Sequence, residues 1–232
     1  LYTFQQRSVQ RQYFRDPSAV SSATGTDIIV GSGSIMASRG QEITNTGTSN
    51  KWSLVKGKTV GGKETAYWYN DRLQKIMRFG EDGTRVISDK GMLSWFLNNT
   101  KYLINNYEPL RGVGFSGVWN DKYSEAIFTI KYNDGISNKA YTLVYGEAKN
   151  GFICFHSYYP NLYIPYNNGF FSVNPSAANT VWLHDTGAEA SYYGTAVDPT
   201  IEMVMNYEPN IIKILQIRDI KVLLYHDNIF FY

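Results

Sequence analysis

At 232 residues the chain is long enough to bury a sizeable core as one or two domains, and its 18% charged against 16% aromatic residues, with 19 Tyr and 12 Phe, reverse the balance of a disordered polypeptide. A net charge of +2, from Lys and Arg spread along the chain, lacks the basic patch or stripe of a dedicated nucleic-acid binder. The single Cys154 excludes an intramolecular disulfide framework and a cysteine-based zinc site, and no apolar run approaches the length of a transmembrane helix.

Taken in chain order, the first fifty residues are the least regular and are expected to form an irregular N-terminal segment. Leu1 to Arg15 mixes aromatics with Gln and Arg, Ser18 to Ser38 is small and polar around Ile28-Ile29-Val30, and Gln41 to Asn50 is a Thr/Asn/Gly/Ser loop. From Lys51 to Tyr232 the expectation is one β-rich domain, incomplete at its ends. The chain opens at Leu1 without an initiator Met and stops on Ile229-Phe230-Phe231-Tyr232, which reads as a piece cut from something larger.

Short apolar-aromatic runs separated by turn residues dominate this second part. Tyr67-Trp68-Tyr69 leads into Asn70-Asp71, a second run spans Leu73 to Phe79, and Gly80-Glu81-Asp82-Gly83 opens a third from Thr84 to Ile87. Ser88-Asp89-Lys90-Gly91-Met92-Leu93-Ser94-Trp95-Phe96-Leu97 interrupts the series. Its capping residues and helical spacing predict about three turns of helix from near Asp89 to near Asn99, packing Leu93, Phe96 and Leu97 on the strands. Strand runs resume at Gly114 to Trp119, Glu125 to Tyr132, Lys139 to Glu147 and Phe152 to Tyr158. Asp134-Gly135 and Asn150-Gly151 fall between such runs and predict hairpin turns with both glycines at positive φ. Tyr69 to Ile76 also resembles Trp119 to Ala126 at an offset of 50 residues, near the period of four-stranded propeller blades. A shared strand-then-turn pattern explains the likeness equally well.

No catalytic, cofactor-binding or metal-binding residue can be assigned. His156, His184 and His226 sit in or beside apolar strand runs without metal-ligand spacing, which suits partly buried structural imidazoles. No Gly-x-Ser-x-Gly elbow is present, and Gly31-Ser32-Gly33-Ser34 lacks the Gly-Lys-Ser/Thr that would make it a phosphate loop. Asp121 and Glu147 are the carboxylates that could be imagined as a glycosidase pair, and only geometry can show that such a pair converges. Trp52, Trp68, Trp95, Trp119 and Trp182 lie within strand or helix patterns, where core packing is the default reading.

The succession Trp68-Tyr69-Asn70-Asp71, Ile76-Met77-Arg78-Phe79-Gly80-Glu81-Asp82-Gly83 and Ile87-Ser88-Asp89-Lys90-Gly91-Met92 resembles the propeller-bearing stabilization or "muzzle" tail proteins of crAss-like bacteriophages. Gly117-Val118-Trp119-Asn120-Asp121-Lys122-Tyr123-Ser124-Glu125, Leu143-Val144-Tyr145-Gly146-Glu147 and Phe152 through Pro160 continue the likeness. So do Val181-Trp182-Leu183-His184-Asp185, Tyr193-Gly194 and Val204-Met205-Asn206. The resemblance extends from Gly40 to Ile217, and the first forty residues match it poorly. It implies a β-propeller-like domain of antiparallel sheets in a virion protein of the distal tail, assembled as a ring with copies of itself and other tail proteins, without catalysis or cofactor. The aromatic content also admits a carbohydrate-binding or receptor-binding tail module that meets a host surface glycan, and a glycan-cleaving propeller enzyme if carboxylates converge in a cleft.

Overall fold

The computed structural model describes residues 1–13, 18–21, 27–30, 40–103, 113–176, 180–188, 190–201, 222–225 and 228–231. They belong to two compact units, Leu1–Val197 and Asp198–Tyr232.

The expectation of an irregular first segment gives way to strands. β1 (Tyr2–Phe4), β2 (Val9–Arg11), β3 (Ser18–Ser21), β4 (Asp27–Val30) and β5 (Gln41–Thr44) all precede residue 50. β1, β2 and β5 form an antiparallel sheet I, and β3 and β4 pair with each other in a separate hairpin. Alternation of side chains is short here and diluted by Gln and Thr, which hides the strands from a periodicity reading.

Beyond Asn50 the predicted runs become strands with few shifts. Sheet II is a meander of β6 (Val55–Lys58), β7 (Glu64–Asn70), β8 (Lys75–Gly80) and β9 (Gly83–Val86). The helix α1 (Leu93–Thr100) follows. Sheet III is a second meander of β10 (Gly114–Asn120), β11 (Glu125–Asn133), β12 (Asn138–Gly146) and β13 (Gly151–His156). Sheet IV has β14 (Tyr163–Tyr166), β15 (Gly169–Val173) and β16 (Val181–Leu183), and β17 (Ser191–Tyr192) pairs with β18 (Thr195–Ala196). All pairings are antiparallel. In the second unit, β19 (Val222–Tyr225) and β20 (Asn228–Phe231) form a hairpin. The described residues are thus mainly antiparallel β with one short α-helix.

The four sheets pack face to face in chain order. Period-two alternation sends Tyr67, Tyr69 and Ile76 of sheet II against Phe115, Ala126, Phe128 and Ile130 of sheet III. The opposite face of sheet II sends Trp68 and Met77 against Val9 and Phe4 of sheet I. Sheet III likewise turns Val118, Ile127 and Val144 toward Tyr163 and Phe170 of sheet IV. The inner sheets II and III are therefore apolar on both faces, which is why Tyr67-Trp68-Tyr69 reads as an unbroken aromatic run. Two glycines let sheets II and III approach. A Cβ on Gly57 would lie 2.5 Å from the Trp119 ring, and one on Gly117 would lie 2.6 Å from a Val55 methyl, so large and small residues of β6 and β10 interlock reciprocally.

Three local expectations are corrected. The helix begins after Gly91, whose φ of +74 breaks the backbone, and Ser88 and Asp89 do not cap it. The Ser88 hydroxyl instead accepts from the Ile76 amide, and Asp89 pairs with Lys75 at 2.6 Å. Its buried face is Phe96 and Thr100 with Met92 and Trp95 beside them, whereas Leu93 and Leu97 are exposed. At the β12–β13 turn the left-handed residue is Asn150 at φ +51, and Gly151 is an ordinary strand residue opposite Gly146. Gly135 does adopt positive φ, at +89. Finally, Trp52 lies on an exposed 3-10 turn, outside the core.

The 50-residue likeness corresponds to one turn used twice. Asn70 Oδ1 accepts from the Leu73 amide and Asn120 Oδ1 from the Lys122 amide, and Gln74 and Ser124 both adopt φ +55. The turn joins the second and third strands of sheet II but the first and second strands of sheet III. The repeat therefore marks turn chemistry and does not align equivalent strands.

Candidate functional site

Polar and titratable side chains collect in three places, and the first lies between sheets II and III. Arg78, on β8, donates through Nε to both oxygens of Glu147 at 3.1 Å and through Nη2 to the same carboxylate, while Nη1 pairs with Asp82 at 2.8 Å. Tyr67 donates its hydroxyl to Glu147 at 2.5 Å. The side chains of Arg78 and Glu147 are only 4% and 5% exposed. Burial alone would lower the guanidinium pKa, but the hydrogen bonds from Arg78 to Glu147 and Asp82 outweigh it and hold the charge more firmly than usual. Burial and the bond to Glu147 push the Tyr67 phenol well above its ordinary range.

Asp121 sits on the turn after β10. It accepts from the Trp119 indole N–H at 3.1 Å and from Lys58 at 3.1 and 3.3 Å, and these donors hold its carboxyl below the usual range. The imagined pair of Asp121 and Glu147 is thus divided between two cations. Glu147 is enclosed by Arg78 and Tyr67, where a sugar could not reach it. Sequence reading missed Arg78, which lies 69 residues from Glu147 with no local sign of the contact.

The second place is an aromatic layer between sheets III and IV. His184 Nε2 lies 2.6 Å from the Ser172 hydroxyl, Ser172 lies 2.7 Å from the Tyr193 hydroxyl, and the Tyr192 hydroxyl lies 3.1 Å from His156 Nδ1. His184 stacks on Phe170 at 4.5 Å and His156 on Tyr158 at 5.1 Å. Burial pushes both imidazoles down to about 4. The Ser172–His184 contact has the distance of a nucleophile and its base, but Ser172 is 0% exposed and a tyrosine, with no carboxylate, completes the chain of bonds. Both histidines pack as structural groups. His226 and the Gly31 to Ser34 segment lie outside the described residues. Trp68 is fully buried, Trp95 and Trp119 pack on the core between sheets II and III, and Trp182 meets Tyr193 edge to face.

The third place is a groove of about 380 Å³ at one end of sheets III and IV. Its walls are Asp121 and Lys122 after β10, Tyr166 to Gly169 at the β14–β15 turn, and residues 183–186 at the end of β16. Asp185 accepts from the buried Asn120 amide at 2.8 Å, and Glu125 nearby is pushed up to about 7, first by burial and then by Asp185.

No curated protein and no solved structure matches the chain. The family model described as Crassvirus muzzle protein matches residues 1–176, from β1 through β15, and so includes the first forty residues that the sequence resemblance left aside. A match over three quarters of the length, on a framework of stacked sheets with no exposed catalytic pairing of Asp121 and Glu147, places the chain in the Crassvirus muzzle protein family, a structural component of the phage virion.

Proposed function

We propose that the chain is a rigid module of the distal phage tail, built as a propeller-like stack of sheets, that assembles in a ring with copies of itself and with other tail proteins and performs no catalysis. The observation that carries this reading is the outer face of sheet IV. Ile164 and Val181 point away from sheet III and are 42% and 54% exposed, with Phe171 and Val173 between them in register. This face repeats the aromatic and β-branched composition of the covered faces within the stack, so a second apolar sheet surface fits it. At the opposite end, Thr3, Gln10 and Glu42 make the outer face of sheet I polar. Face-to-face meanders following one another in chain order are also how propeller blades are arranged, which supports the propeller-like reading.

Sedimentation velocity over a concentration series tests the self-assembly. The wild-type chain is expected to associate reversibly, and Val181→Lys, which places a charge in the apolar face, to shift it toward monomer. A wild-type chain that stays monomeric at high micromolar concentration would overturn self-assembly through this face. Density for the chain in assembled particles, at the tail or elsewhere, decides the location.

A further inference from the structure

We infer that the groove at the shared end of sheets III and IV is a binding site for a neutral sugar ring, such as one unit of a surface glycan. Its size comes first. About 380 Å³ falls within the range of small-ligand sites and admits a pyranose with its bridging water. Four of its ten wall residues, 183–186, lie beyond the family match.

The wall chemistry divides as a pyranose divides. On one side Tyr166 is 52% exposed and seated against Phe171 at 5.0 Å, and Leu183, across Phe171 on β16, is 40% exposed. A held aromatic ring with an aliphatic neighbour suits the C–H face of a sugar. On the other side stand the carboxylates of Asp121 and Asp185 and the amides of Asn167 and Asn168. Carboxylates accept from adjacent hydroxyls, and amides both donate and accept.

These groups are set before a ligand arrives. Asn120 is 3% exposed, donates to Asp185 Oδ2 at 2.8 Å and accepts from the Lys122 amide at 3.1 Å, so one buried residue ties both walls together. The Trp119 indole fixes Asp121 in the same manner at 3.1 Å. Asp185 and Asn167, at opposite edges, are both held at positive φ, +60 and +48. Sites that bind through a few placed polar groups are built in this pre-positioned way.

Charge narrows the ligand class. The wall carries Asp121, already paired with Lys58, together with Asp185 and Lys122, so its charges balance and favour neither an anion nor a cation. No group of three or more His, Cys, Asp or Glu among the described residues is arranged to hold a metal ion. A neutral polyol satisfies the acceptors without bringing charge into this field.

Saturation-transfer NMR on the full chain, with the methyl glycosides of glucose, galactose, mannose and N-acetylglucosamine and with glucuronate as probes, tests the site. At least one neutral glycoside is expected to bind saturably, with a Kd in roughly the millimolar range, and glucuronate more weakly. Tyr166→Ala should weaken that binding about tenfold or more, and Asp185→Asn should weaken it as well. Should Asp185→Asn disturb the fold through Asn120, Tyr166→Ala decides alone, because its side chain is exposed and its melting temperature should match the wild type. Ile136→Ala, at a residue 94% exposed that does not line the groove, should bind normally. No saturable transfer to any neutral glycoside, unchanged binding in Tyr166→Ala, or tighter binding of glucuronate would each overturn the assignment.

Discussion

Glu147 accepts from Arg78 and Tyr67 in a setting almost closed to water, and this ties the end of β12 in sheet III to β7 and β8 in sheet II. Removing one partner of a buried ion pair strands the other, which costs about 3–5 kcal/mol. Glu147→Ala is therefore expected to lose about that much stability in urea titration, and Arg78→Ala a similar amount. A loss below about 1 kcal/mol would show the pair to be dispensable. Three other residues contribute to the acid response in ways that can be separated. His156 and His184 are pushed from 6.5 down to about 4, so between those values the unfolded chain binds protons that the folded chain refuses. Their contribution is fully present above pH 6.5 and is lost as pH falls toward 4. Glu125 works in the opposite sense. Its carboxyl is pushed from 4.5 up to about 7, so the folded chain takes that proton first and gains stability as pH falls from 7 to 4.5. Glu125→Gln should then raise the melting temperature at pH 8 and steepen the loss below pH 6.5, measured by calorimetry across pH. A parallel shift at every pH would mean that Glu125 does not titrate in this window. At this scale the sequence was least legible. His156 and His184 pack as their apolar strand runs imply, but Arg78 and Glu147 meet only through the stacking of two sheets.

Elements built from local chemistry were legible, and faces set by distant partners were not. The Asn-Asp and Asp-Gly turns depend on residues within a few positions, so the hairpins fell where the sequence put them. The helix shows the contrast. Met92, Trp95, Phe96 and Thr100 and the stripe of Leu93, Phe96 and Leu97 both satisfy helical spacing, and only the sheet surface beneath selects the first. Phe96→Ala should accordingly cost about 3–5 kcal/mol, against less than about 1 kcal/mol for Leu97→Ala, which removes an exposed side chain. Glycine follows the same division. Gly151 reads as a turn glycine, yet Asn150 supplies the left-handed residue and a Cβ on Gly151 meets nothing closer than 3.8 Å. Two glycines at the sheet contact differ: Gly57 faces the Trp119 ring, which is stacked on Tyr67 and cannot easily yield, and Gly117 faces a Val55 methyl and the Phe128 ring. Gly57→Ala and Gly117→Ala should each cost about 1–3 kcal/mol by overpacking, whereas Gly151→Ala should fall within about 0.5 kcal/mol of wild type. Equal denaturation midpoints for all three variants would remove the interlock between β6 and β10 from the account.

At the scale of the whole molecule, composition and hairpin spacing were enough for a mainly β fold, and the aromatic strings were enough for the family. A division after Asn50 is harder to reconcile with the packing. Sheet I covers one face of sheet II, where Phe4 meets Trp68 at 5.2 Å and Val9 shares a buried cluster with Trp68 and Met77. Polar groups cross the same boundary, since the Trp68 indole donates to the Thr46 carbonyl at 2.8 Å and Asn70 donates to the Gly47 carbonyl at 2.6 Å. A chain beginning at Lys51 would lose both acceptors and uncover Trp68, which is fully buried in the intact molecule. Unpaired buried donors and a newly exposed indole act in the same direction. Such a chain is expected to show a red-shifted tryptophan emission, a melting transition that is lower and less cooperative, and a greater tendency to aggregate. If it instead unfolds cooperatively at the wild-type temperature with unshifted emission, sheet I is an accessory layer and the first fifty residues are separable after all. The reason to expect the former lies in sheet II. A sheet with aromatic side chains on both faces has no solvent side, so neither neighbouring layer can be removed without exposing what the other leaves uncovered.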